Sequence, residues 1–223
     1  MEKDNSFLTI LMNPNGYFQD MMNKNENLKM PAVFVLITAV ISALTAFVMV
    51  GPTVTMMRGL LSGMDTVIVI GALVAAFVIT VISWLVYAGI LYLFSLVFRG
   101  TGTFNRTLEV VGYGFLPQIF GGLISLAVAA YYIPQVVVQA IPSGTQDSQV
   151  ILDATTNLMH DPAMMALTQT VTLISVVFLL WSANIWIFGM QHARQLSMRD
   201  AALCVGIPVV IYTIYTIYKL GVM

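Results

Sequence analysis

Apolar and polar positions along this chain fall into long blocks. Residues 1–30 mix charges, amides and scattered apolar side chains, and five apolar blocks follow at 31–50, 67–98, 110–133, 165–189 and 201–218. Each is near or above the ~20 residues that a helix needs to cross a hydrocarbon core. The pattern predicts an all-α integral membrane bundle of five transmembrane helices. It divides the chain into a short interfacial arm, 1–30, and one membrane domain, 31–223, with no internal repeat or low-complexity tract. The second block, roughly thirty residues at 1.5 Å each, outreaches a ~30 Å core and is expected to tilt or project.

Boundary chemistry agrees with these marks. Pro31 falls where a first helical turn tolerates proline, and Asp161-Pro162 joins an N-cap residue to a proline at the next position. Ser197 and Asp200 fit a capping box ahead of the fifth block, and Thr103 is a candidate N-cap for the third helix. In the arm, segments 6–12 and 17–22 are amphipathic and separated by Asn13-Pro14-Asn15-Gly16. They fit an interfacial position with Tyr17 and Phe18 at headgroup level, or packing on neighbouring spans. Val150, Ile151, Ala154, Leu158 and Met159 recur at helical spacing after Asp147-Ser148, which predicts a short helix there.

Composition narrows the class. The 223 residues are 59% hydrophobic and 9% charged, far below the roughly one-quarter charge of a soluble domain. A net charge of −1 argues against nucleic acid as a partner. The single cysteine, Cys204, excludes an intramolecular disulfide and fits apolar packing. The first thirty residues lack the pattern of a cleavable signal peptide, so the first span is expected to stay as an anchor. Cations set the orientation. Lys3, Lys24, Lys29, Arg99, Arg106, Arg194 and Arg199 fall on one side, and Arg58 and Lys219 on the other. The positive-inside bias therefore predicts a cytoplasmic N-terminus and an outside C-terminus.

Catalytic and metal chemistry find little support. The chain has no phosphate-binding loop, zinc-protease helix motif or nucleophile elbow, so no enzyme activity, cofactor or metal is expected. His160 and His192 fall on opposite sides of the membrane, and the 15 methionines read as core and interface filling. Attention moves to the third span. Arg99 opens a basic loop that runs into Gly112-Tyr113-Gly114 and then Pro117. A proline inside a helix frees the carbonyl four residues earlier, here that of Tyr113, and a freed carbonyl in a membrane needs a partner. Asn184, between Trp181 and Trp186, is one candidate partner or an interhelical contact. Glu109 is the other polar candidate, with Arg106 three residues away as a local ion-pair partner. Pro208 predicts a second kink, in the fifth span.

These residues carry a resemblance. Asn13-Pro14 followed by Tyr17-Phe18, the loop Gly102-Thr103-Phe104, the element Val111-Gly112-Tyr113-Gly114-Phe115-Leu116-Pro117, and the stretch from Trp181 through Gly189 to Ala201 resemble the Yip family. That family is the Ypt/Rab-interacting-protein domain of multispanning membrane proteins. The resemblance implies five spans and a cytoplasmic N-terminus. Its eukaryotic members sit in early secretory membranes and are linked to Rab GTPases, vesicle traffic and membrane shaping. The short arm departs from those proteins, so Rab binding does not carry over, and the chain is more similar to compact prokaryotic members.

The expected function is that of a non-enzymatic multi-pass membrane protein, in the cell membrane if prokaryotic, that organises membrane or partner proteins. Its partners would be membrane lipids, other membrane proteins or a second copy. Arg99, Arg106, Arg194 and Arg199 would meet headgroups or a partner. The alternative is a small transporter, channel or lipid-moving protein built around the Pro117 break.

Overall fold

A computed structural model describes residues 7–61, 63–145 and 147–222. Residues 1–6, which include the first residue of the expected 6–12 segment and Lys3 of the charge count, lie outside these, as does Met223. Nine α-helices follow one another among the described residues. They are α1 (Phe7–Met12), α2 (Pro14–Met21), α3 (Lys29–Met57), α4 (Asp65–Val97), α5 (Phe104–Tyr113), α6 (Phe115–Tyr132), α7 (Ser148–Met159), α8 (Pro162–Ala193) and α9 (Met198–Val222). A 3₁₀ turn at Ile133–Gln135 extends α6. With α5 and α6 taken as one interrupted helix, five helices are long and apolar enough to cross a membrane.

Local chemistry explains where these helices start. Asn13 is the N-cap of α2, its Oδ1 accepting from Gly16 N–H at 3.1 Å, with Pro14 at the first helical position. The second amphipathic segment therefore begins at Pro14, before the position 17 expected from hydrophobic spacing. Thr103 caps α5 by accepting from Arg106 N–H at 3.1 Å, and Asp161 caps α8 through Ala163 and Met164 N–H. Ser197 and Asp200 exchange the bonds of a capping box at α9. Asp147 caps α7, the helix that spacing placed there.

The end of the first span differs from the expectation. The first span continues past residue 50, through Gly51-Pro52, to Met57. Tertiary packing overrides the breaker there, because Pro52, Val54 and Met56 are buried and Met56 C=O accepts from Ile141 N–H at 2.9 Å. In α9 the helix likewise runs through Pro208.

The arm lies on the bundle. Ile10, Phe18 and Met21 are buried in the main core with residues of α3, α4, α5, α6, α8 and α9. Of the two arrangements open from sequence, packing on neighbouring spans is the one found. At the opposite end, α7 and the strand-like segment before it form a separate small cluster of Met56, Ile141, Ala154 and Leu158. The spans themselves turn much apolar surface outward; α4 buries only Ala88, Leu91 and Ser95. A protein whose solvent is hydrocarbon loses nothing by such exposure.

Candidate functional site

The third span breaks at Gly114, between α5 and α6. Pro117 sits three residues into α6 and, having no N–H, removes the helical donor of the Tyr113 carbonyl four residues earlier. At the break, side chains also take up backbone carbonyls. Trp186 of α8 donates its indole N–H to the Val111 carbonyl at 3.0 Å, and Trp84 of α4 donates to the Leu108 carbonyl at 2.8 Å. A side chain inserted in this way is a recognised cause of a kink. The glycines let the indoles approach. A Cβ at Gly112 would meet Pro31 at 2.5 Å and Trp84 Nε1 at 3.1 Å, and one at Gly114 would overlap the Trp186 indole outright.

Around the break, every residue from 107 to 117 is buried. The Tyr113 ring packs edge-on against Tyr17 (centroids 5.3 Å apart) and Phe18 (6.1 Å), and tilted against Phe34 at 6.0 Å. The arm's aromatic pair thus closes over the signature tyrosine. Burial, together with a hydrogen bond to Tyr113, raises the Tyr17 phenol above its usual pKa.

Charges beneath the arm are internally matched. Arg106 Nη1 lies 2.7 Å from Glu109 Oε2, with the two side chains 11% and 2% exposed. Glu109 Oε1 also accepts from Asn27 N–H at 3.3 Å, and Arg106 Nη2 donates to the Lys24 carbonyl at 2.6 Å. The Thr103 hydroxyl donates to Glu26. Glu109 therefore ties α5 to the arm, the local ion-pair role that its spacing from Arg106 allowed. A crevice of about 180 Å³ remains between Tyr17, Lys24, Asn27, Glu109 and Tyr113.

Arg194 is the largest fully buried side chain, at 1% exposure. Its Nε donates to Ser95 Oγ at 2.9 Å, Nη2 to the Gly100 carbonyl at 2.9 Å, and Nη1 to the Gly102 carbonyl, while the guanidinium lies 4.3 Å over the Tyr92 ring. A buried charge is tolerable only when hydrogen-bonded in this manner. It pins the loop between α4 and α5 to the end of α8.

Several sequence expectations are thereby corrected. Arg194 and Arg106 bond within the chain, leaving Arg99 and Arg199 as the exposed arginines of the four proposed to meet headgroups. Asn184 is exposed on α8 and turned away from the break, so the indole of Trp186 takes the part proposed for it, and at Val111 instead of Tyr113. His192 Nε2 lies 2.8 Å from Asn15 Oδ1, whereas His160 Nδ1 lies 2.9 Å from the Thr156 carbonyl at the other end of α8. Among the described residues, no group of three or more His, Cys, Asp or Glu side chains is arranged to hold a metal.

A second feature was not anticipated. Two chambers of about 230 and 330 Å³ lie inside the bundle and share Thr38, Gln118 and Ser175. The first adds Thr80, Ser83, Tyr87, Trp186 and Tyr212; the second adds Ser42, Thr45 and Ser125 among small and apolar residues. No lining residue of either is charged. Thr80 and Ser175 lie near the middle of α4 and α8, roughly 20 Å from those helices' first residues at 1.5 Å per residue. The spacing of Thr38, Ser42 and Thr45 on one face of α3 was a legible signal for this chamber.

Comparison with known proteins fits this architecture. The Yip1 domain model matches residues 8–219. An uncharacterized protein of the archaeon Methanocaldococcus jannaschii is 32% identical over 126 residues, which cover 56% of this chain and 89% of that protein. No solved structure matches the chain. The match takes in the arm, the tryptophan-stapled break and all five long helices, and the chain is a multi-pass membrane protein that belongs to the Yip1 domain family.

Proposed function

We propose that this protein is a non-enzymatic organiser of membrane lipids or partner membrane proteins, acting from the arm end of its bundle. The observation that carries this reading is the filled break. Transporters use broken helices to bind cargo on freed backbone groups. Here the indoles of Trp84 and Trp186 occupy the carbonyls of Leu108 and Val111, and the arm covers Tyr113. That arrangement favours a rigid platform over a moving gate at Pro117. Lys24, Lys29, Arg99 and Arg199 are exposed at the same end. Each is worth up to about 1 kcal/mol against an anionic leaflet. The positive-inside bias supports a cytoplasmic arm, and the archaeal relative supports a compact prokaryotic type placed in the cell membrane. The Rab connection of eukaryotic members is not part of this reading.

The test is lipid and partner retention by the full chain. Purified from phosphatidylglycerol-containing nanodiscs, the protein should keep phosphatidylglycerol in native mass spectra, and the Arg99→Gln/Arg199→Gln pair should lower that retention several-fold. Unchanged retention in the pair, with no membrane protein cross-linked to either form in cells, would remove the proposal. Orientation is read separately. Gly221→Cys in a Cys204→Ala background should react with an impermeant maleimide from outside intact cells. Reaction only after permeabilisation reverses the topology.

A further inference from the structure

We propose that the paired chambers around Gln118 form a binding site for an uncharged amphiphile whose polar end carries a hydroxyl group, with diacylglycerol as the model ligand. The site is distinct from the arm-end platform and borders the stapled break, whose Trp186 and Phe115 line the first chamber.

Its chemistry follows from how the lining groups spend their hydrogen bonds. Thr38, Thr45, Thr80, Ser83 and Ser175 donate their hydroxyl protons to carbonyls of their own helices, at 2.7 to 2.9 Å. Their oxygens keep acceptor capacity. Gln118 Nε2 lies 3.1 Å from Ser182 Oγ, whose own proton goes to the Phe178 carbonyl at 3.0 Å. Ser182 can then only accept, which fixes the amide nitrogen toward it and leaves Gln118 Oε1 and one N–H for the chambers that the residue lines. Tyr87 and Tyr212 bring phenol groups to the first chamber, and Ser42 and Ser125 bring further hydroxyls to the second.

Such a lining discriminates by charge. Phosphate or carboxylate would enter at membrane depth with no cation to meet it, and ammonium with no carboxylate, so desolvation opposes both. An alcohol donates one bond and accepts others, which suits a surface of acceptors with a few donors. Access is lateral. Ser175 and Tyr212 of the first chamber are exposed, and α9 past Val209 turns Val210, Ile211, Tyr212, Ile214 and Tyr215 outward. The chamber is therefore open toward the hydrocarbon, where the acyl chains of such a ligand would remain while its glycerol end reaches Gln118.

Three probes with identical acyl chains separate the possibilities: dioctanoylglycerol, dioctanoyl phosphatidic acid and trioctanoylglycerol. Each is titrated into the full chain in phosphatidylcholine nanodiscs, and thermal unfolding is followed. Binding to the folded state raises the transition in a saturable manner. Dioctanoylglycerol alone should do so. Gln118→Leu and Ser175→Ala should each weaken its apparent affinity by about three- to tenfold, the worth of one hydrogen bond. If Gln118→Leu fails to fold, Ser175→Ala decides, because that hydroxyl bonds only within its own helix. Equal shifts from all three probes mean that acyl chains alone bind, and no shift means that the chambers hold only water. Either result overturns the proposal, as does unchanged affinity in Ser175→Ala.

Discussion

The arm end and the middle of this bundle solve one problem in opposite ways. Both place polar groups where water is scarce. At the arm end, polar groups bond between elements: Arg194 joins α8 to the α4–α5 loop, Glu109 joins α5 to the arm, and two indoles join α4 and α8 to α5. In the middle, most hydroxyls bond back to their own helix and tie nothing together. Between spans in lipid there is no hydrophobic force, so cross-helix bonds and close packing have to hold them. Where those bonds are many the spans are tied together, and where they are few, with Gln118 to Ser182 as the cross-helix bond, the bundle leaves its two chambers.

The largest expected effect tests the dense side. Arg194→Met removes a buried cation and leaves the Gly100 and Gly102 carbonyls without their donor. Bonds to charged groups are worth more than neutral ones, and the loss should be about 3 kcal/mol or more in reversible unfolding in mixed micelles. Arg194→Lys should recover little, because a single ammonium cannot span oxygens that a planar fork reaches together. A wild-type-like Arg194→Lys would mean that charge alone matters there.

Next comes the staple. Gly114→Ala forces a Cβ into the Trp186 indole, and overpacking at such a contact costs about 1–3 kcal/mol. Trp186→Phe keeps most of the ring volume while removing the indole bond to the Val111 carbonyl, which retains the Gly114 N–H at 3.1 Å; the loss should be about 1 kcal/mol. If the two substitutions act through one contact, the double variant falls short of their sum. Full additivity would separate the glycine from the tryptophan. In the middle of the bundle, Thr80→Val should change stability by less than about 0.5 kcal/mol, since its hydroxyl bonds only the Ala76 carbonyl of its own helix. A loss as large as that of Trp186→Phe would erase the distinction between the two regions.

The same contrast explains what could be read from residues alone. Long apolar blocks, caps at Thr103, Asp161 and Ser197, and the Arg106–Glu109 spacing are local signals, and each has its counterpart in the helices and bonds observed. Bonds across elements are not local. Nothing near Arg194 in sequence announces Ser95, Gly100 and Gly102, so a cation at a span end reads as a headgroup contact until the loop folds over it. Likewise Asn184 and Trp186 are two positions apart, and only the rotation of α8 decides which one faces α5. The chambers depend on which hydroxyl-bearing faces meet, and only the periodicity on α3 hinted at one of them.

A small effect is also expected at the residue that stands out most in the sequence. Pro117 reads as the cause of the break, and the interruption lies at Gly114, within the turn that a proline disrupts, where Trp186 also donates to the Val111 carbonyl. Pro117 occupies the first turn of α6, where its fixed φ suits helix entry and its missing N–H removes the helical donor of the Tyr113 carbonyl. In Pro117→Ala a new N–H would face the Tyr113 carbonyl and offset the lost rigidity of the unfolded chain. These terms are comparable, so stability should change by no more than about 1 kcal/mol, in either direction. The fluorescence of buried Trp186 should keep its position, because the indole remains on Val111. A red shift of that emission together with a large loss of stability would make the proline, and not the tryptophan, the element that holds the third span open.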